Sequence, residues 1–93
     1  MDFEWDREKA RSNARKHRVT FDQARNVFAD PNVLIELDET IDEERWNAIG
    51  MSSERILFVV YAERNADIVR IISARRAEKH EQDRYYRQTL PQG

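Results

Sequence analysis

The chain has no cysteine, which excludes a disulfide scaffold and a thiolate metal site. It has only two glycines and two prolines, and no glycine-rich phosphate loop. The longest apolar run, Ile56 to Ala62, is far too short to span a bilayer. Met1-Asp-Phe-Glu lacks the basic start and apolar core of a signal peptide, so a cytoplasmic protein without a membrane partner is expected. His17 and His80 lie far apart, and no His-x-x-x-His pair occurs. The carboxylates at Asp38, Glu39, Asp42, Glu43 and Glu44 lack the spacing and central glycine of a calcium loop. No metal or cofactor is therefore expected. Ser12, Ser52, Ser53 and Ser73 have none of the strand-turn-helix glycine context that exposes a nucleophile.

What is present is a small, heavily charged and regularly patterned chain. Ninety-three residues make one domain, 1–93, near the lower end of what buries a self-sufficient core. Hydrophobic residues are 40% and charged residues 37%, too apolar for disorder yet polar enough for solubility. The net charge of −2 is unevenly spread. Residues 1–28 carry +2, residues 29–54 carry −7 and residues 55–93 carry +3. An acidic middle between basic ends can focus an anionic ligand on one face and offer an acidic surface to a basic partner. The alternative is a set of solvated loops.

Boundary signals give the order of elements. Phe3-Glu-Trp5 alternates as a short strand, and Asp6 caps a helix running to about His17. Thr20-Phe-Asp-Gln23 fits a capping box, with Val19 and Ala24 as a hydrophobic staple. It opens a second helix whose Phe21, Ala24, Val27 and Phe28 share a face, ended by Asp30-Pro31. The period then turns strand-like over 33–37, 45–50, 56–61 and 68–74, with hairpin-length links between the last three. The strand at 56–61 is apolar on both faces and is placed at the centre. A last helix from Ala74 to about Gln88 has only Ala77, Tyr85 and Tyr86 to pack with, and is expected to be weakly anchored. The expected fold is α+β: two N-terminal helices on a four-stranded antiparallel sheet, with a C-terminal helix.

The stretch Ile71-Ile-Ser-Ala-Arg-Arg-Ala-Glu-Lys-His80 stands out, because it places Arg75 and Arg76 where a strand meets a helix. Two cations at a helix N-terminus oppose the macrodipole unless an anion lies between them. With one, free N–H groups and two guanidinium forks make a phosphate site. The alternative is that both point into water or pair with the acidic middle. Strand alternation puts Val69, Ile71, Ser73 and Arg75 on one face and Arg70 on the other. The available side chains, His, Arg, Lys, Glu and Tyr, suit metal-free RNA cleavage. There a base deprotonates the ribose 2′-OH, cations hold the phosphorane and an acid protonates the leaving 5′ oxygen. His17, at a helix C-terminus, is a proton-transfer candidate or simply a cap. Tyr85 and Tyr86 either stack on bases or anchor their helix.

Several blocks then resemble one family in order and spacing. They are Phe3-Glu-Trp-Asp6, Arg15-Lys-His17 with Val19-Thr-Phe21, Val27-Phe-Ala-Asp-Pro31, Glu43-Glu-Arg45 with Ile49-Gly50, and Ile71 to Ala77 followed by Glu81 and Tyr85. Together they look like the BrnT toxins of type II toxin–antitoxin systems over about residues 3–86. The resemblance implies a RelE-like α+β endoribonuclease that is independent of metal and cleaves RNA to arrest growth. It also implies neutralisation by a BrnA-like antitoxin, with operator DNA bound only through that antitoxin. Its polar blocks fall on His17, Arg45, Arg75 and Arg76, with Glu81 and Tyr85 as weaker candidates. Arg75 and Arg76 are assigned to the scissile phosphate, His17 to proton transfer and Arg45 to charge stabilisation. Removing either Arg75 or Arg76 is expected to damage the transition state more than the fold. Where the family has Lys-His-Gly-Val, this chain has Lys16-His-Arg-Val19, so Arg18 fills a helix-ending position suited to glycine. The alternative function is a non-enzymatic module that binds RNA or a partner.

Overall fold

The computed structural model describes residues 1–39 and 44–89. Residues 40–43, within the acidic run, lie outside that description. The element order is β1 (Asp2–Glu4), α1 (Arg7–His17), α2 (Phe21–Val27), β2 (Leu34–Asp38), β3 (Arg45–Ser52), β4 (Arg55–Arg64), β5 (Ile68–Arg76) and α3 (Lys79–Thr89). The α+β class stands, but the sheet has five strands and is mixed, in the order β1-β5-β4-β3-β2. The expected four antiparallel strands are all there, with β4 central. The fifth is β1, which pairs parallel with β5 through Phe3↔Val69 and Glu4↔Arg70. Three residues at a sheet edge are too few for alternation to reveal a pairing partner.

Local signals set both N-terminal helices. The Asp6 carboxylate accepts the Lys9 N–H at 2.9 Å. At α2 the Thr20 hydroxyl accepts the Gln23 N–H at 3.0 Å while the Gln23 side chain accepts the Thr20 N–H at 2.9 Å. Such a cap stabilises a helix by about 1 kcal/mol. Val19, Phe21, Ala24 and Val27 are buried against Ala48, Leu57, Val59, Ile71 and Ala74, which are the inward residues of one sheet face. Gly50 belongs to that face, where a Cβ would lie 2.8 Å from Val27 Cγ1, so only glycine lets α2 settle on β3.

Helix α3 covers part of the opposite face, where Ile49, Ile56, Ala77 and Tyr85 form a second apolar cluster with Phe58 beside it. Its few apolar residues do not leave it loose, contrary to expectation, because polar contacts fasten it. The Tyr85 hydroxyl donates to Asp30 at 2.6 Å, Arg84 pairs with Glu36 at 3.0 Å, and the Gln88 amide donates to the Asn32 carbonyl. Asp30 in turn accepts the Met51 N–H at 2.8 Å, so α3, β3 and the chain after α2 meet on one carboxylate.

Candidate active site

The two arginines of the 71–80 stretch occupy a strand end and not a helix N-terminus. Strand β5 continues to Arg76 and α3 begins only at Lys79. The pairing register also shifts: Val60 faces Ser73 while Tyr61 faces Ile71, which leaves Ile72 as an extra residue. This bulge resets the alternation. Val69 and Ile71 face the N-terminal helices, but Arg75, opposite Phe58, turns to the α3 side with Arg70, and the expected grouping of Arg75 with Ile71 is overturned. Arg76, opposite Leu57, turns the other way.

Arg75 is held on several sides. It makes two hydrogen bonds of 2.8 Å to the Glu81 carboxylate and one of 3.1 Å to the Arg76 carbonyl. Its guanidinium carbon sits 4.3 Å from the centroid of Phe58. Glu81, itself buried, also accepts the Glu78 N–H at 2.7 Å and so closes the first turn of α3. The Glu81 hydrogen bond raises the Arg75 guanidinium above its ordinary value. Burial pushes the Glu81 carboxyl up, but the hydrogen bonds from Arg75 and the Glu78 N–H outweigh it and hold the group below the usual carboxylate value. Both partners are thus ions at neutral pH. Glu78, His80 and Glu81 bring ligand-type atoms within 4.8 Å of one another. Both Glu81 oxygens are already committed, so this is the charged start of a helix.

Arg76 contrasts with its neighbour: it is exposed and, among the described residues, forms no ion pair. With Arg55, Glu54, Gln82 and Tyr86 it lines a shallow cleft of about 120 Å³ where β4, β5 and α3 meet. Tyr86 is 49% exposed and meets the ring of Tyr85 edge to face at 5.5 Å, whereas Tyr85 is buried. Burial and then the Asp30 carboxylate push the Tyr85 phenol up to about 12, which keeps it a hydrogen-bond donor. Tyr85 therefore anchors its helix, one of the two roles considered for the pair.

His17 ends α1 half-buried, followed by Arg18 in the left-handed conformation at φ 58°, ψ 31°. Helix α1 is tied to β5 by a residue that sequence reasoning missed, the buried Asn13. Its amide donates to the Val19 carbonyl at 2.9 Å and the Ala74 carbonyl at 2.8 Å, and its oxygen accepts the Ala74 N–H at 3.1 Å. A polar residue one turn before His17 in an otherwise polar helix gave no signal. His17 is thereby carried on the sheet face to which Arg76 belongs, but no hydrogen bond of the described residues joins it to the three arginines. Arg45 opens β3 opposite Asp38, on the Arg75 face. It lies four residues along the strand from Ile49, in whose row Arg75 stands, or about 13 Å. The structure thus divides the four expected residues between two faces of the sheet.

The sequence model for the ribonuclease toxin BrnT of type II toxin–antitoxin systems matches residues 5–81. Among solved structures, the chain is similar to the crystal structure of the Brucella abortus ribonuclease toxin BrnT, with a TM-score of 0.66 and 25% identity. That match covers 85% of this chain and 99% of the Brucella chain. No curated protein matches this chain.

Proposed function

Because this chain belongs to the BrnT family of ribonuclease toxins of type II toxin–antitoxin systems, we propose that it cleaves RNA by metal-free transesterification at the rim where β5 meets α3. The observation that carries this reading is the contrast between two consecutive arginines, one locked and one open. Arg76 forms no ion pair among the described residues, shares its cleft with Arg55 and Glu54, and is the cation offered to the scissile phosphate. Arg75 keeps N–H groups beyond those given to Glu81 and the Arg76 carbonyl. Fixed by that carboxylate and by Phe58, it is a donor that needs no reorganisation as charge develops on the phosphorane. Tyr86 stacks on a base next to the cleaved bond. His17 is the proton-transfer candidate from the α1 side, and Arg45, four residues along β3 from the row of Arg75, is a charge-stabilising group for a part of the RNA away from the cleaved phosphate. Attack of the 2′ oxygen on phosphorus expels the 5′ oxygen and leaves a 2′,3′-cyclic phosphate.

We read the fold as RelE-like, since two helices back a sheet with an antiparallel core. The antitoxin that a type II system supplies is proposed to be BrnA-like and to carry the operator-binding function. The site of action is proposed to be the cytoplasm. No helix of the described residues is long and apolar enough to cross a membrane.

The test is cleavage of a defined RNA by the purified toxin in excess EDTA, with end-group analysis. Cyclic or 3′-phosphate ends with undiminished rate are expected. Activity lost on chelation and restored by magnesium would overturn the metal-free chemistry. Arg76→Ala and His17→Gln should each slow cleavage, by on the order of 10²-fold for a transition-state cation, and Arg45→Gln should slow it less. An unchanged rate in any of them removes that residue from the site.

A further inference from the structure

Helix α1 carries a row of arginines that the cleft does not use. Arg7, Arg11, Arg15 and Arg18 follow one another at spacings of four, four and three, so they lie along one side of the helix. All four are exposed, and none forms an ion pair among the described residues. Arg7 is also the first residue of the helix, where the dipole disfavours a cation. Like charges at this spacing repel, and Arg18 adds a left-handed backbone that a side chain rarely adopts. Arg11, Arg15 and Arg18 border a broad open depression of about 720 Å³ whose remaining lining is Ala14. A second hollow, of about 240 Å³, continues it toward Trp5 and Phe21.

We propose that this ridge is a second RNA-binding surface, which holds the phosphodiester backbone of the substrate at a distance from the cleaved bond. The inference rests on the ribonuclease reading and extends it to substrate length. Four guanidiniums without carboxylate partners, spread over roughly 16 Å of helix, match a linear array of phosphates better than a compact anion. Successive arginines about 6 Å apart on the helix surface suit successive phosphates of an extended single strand. The ridge also leads to the site: Arg18 directly follows His17, and Asn13 pins α1 to Ala74, two residues before Arg76. A strand lying on α1 is thereby guided toward the end of β5.

The experiment compares the native chain with Arg11→Gln/Arg15→Gln, which removes two cations and keeps good helix formers. The probes are an unstructured 20-nucleotide RNA and the shortest oligonucleotide the native protein cleaves. On the long RNA the variant should show a KM raised at least fivefold with kcat unchanged. Its dependence of log affinity on log salt should be shallower by about 1.4, since each phosphate contact on a single strand contributes about 0.7. Cleavage of the short oligonucleotide should be unchanged, and the thermal midpoint equal to or above that of the native chain. An unchanged KM and salt slope on the long RNA would overturn the proposal. So would an equal loss on the short oligonucleotide, which would place the effect in the cleft. Loss of antitoxin binding with RNA binding intact would assign the ridge to an acidic protein segment and overturn it too. If the native chain itself neither binds nor cleaves RNA, the ribonuclease reading fails with it, an outcome distinct from a failure of the ridge alone.

Discussion

Replacing Arg75 and Arg76 one at a time with alanine should separate a residue that holds the site together from one that acts in it. Arg75→Ala removes both 2.8 Å bonds to Glu81 and leaves a carboxylate whose side chain is only 5% exposed without its cation. Breaking a fully buried pair costs about 3–5 kcal/mol. The Arg75 side chain is 32% exposed and partly screened, so about 2–3 kcal/mol is expected here. For a domain of this size that lowers the thermal midpoint by roughly 10–20 °C. Arg76→Ala, at an exposed position without an ion pair, should change stability by less than about 0.5 kcal/mol while removing most activity. This differs from the sequence-based expectation that removing either arginine damages the transition state more than the fold. The asymmetry also depends on pH. In the native chain Glu81 titrates below its ordinary 4.5, so its contribution to stability is complete above that value and is lost as pH falls through the lowered one. In Arg75→Ala burial governs Glu81, its carboxyl is raised, and its charged form is the destabilising one. The gap between native and variant should therefore be widest near neutral pH and close as acid protonates Glu81 in both, below its ordinary 4.5. Thermal melts by circular dichroism across pH 3–8, beside an RNA cleavage assay, measure both effects. Equal midpoints for the two variants at pH 7, or a gap that does not narrow in acid, would refute the account of the pair.

Two further outcomes follow from single contacts. Arg18→Gly relieves a left-handed residue, worth about 1–2 kcal/mol, against about 0.4–1 kcal/mol from the greater freedom of glycine in the unfolded chain. A midpoint a few degrees higher is expected, and a lower one would mean the Arg18 side chain makes a stabilising contact. Tyr85→Phe deletes the 2.6 Å bond to Asp30 and should cost about 1–2 kcal/mol by urea denaturation with little change in cleavage rate. A large loss of activity at unchanged stability would make Tyr85 a residue of the site and not an anchor.

Much of the fold was legible because its determinants are local. Asp6, Thr20 and Gln23 each act within one helical turn, and the meander of β3, β4 and β5 needs only short links between alternating segments. The left-handed Arg18 was legible for the same reason, since a helix must stop within a residue or two of its last good former. The site was harder, because its geometry depends on non-local facts. One unpaired residue, Ile72, turns every later side chain of β5 to the opposite face, and nothing in Ile71-Ile72-Ser73 announces that the register slips there. The start of α3 was misplaced by five residues because Arg75 and Arg76 are good helix formers. What keeps them in the strand is pairing with Phe58 and Leu57, and Glu81 closes the helix from its third position. Glu81 appeared only as a weak candidate, for a buried carboxylate is recognisable in sequence only when its cation is known. Asn13 left no trace, because an amide that satisfies two separate carbonyls looks like any polar helix residue until Val19 and Ala74 are seen beside it. Sequence could point to arginines where a strand meets a helix. Which of the two is free to meet a phosphate follows only from the bulge and the carboxylate, and that is the distinction the Arg75 and Arg76 variants measure.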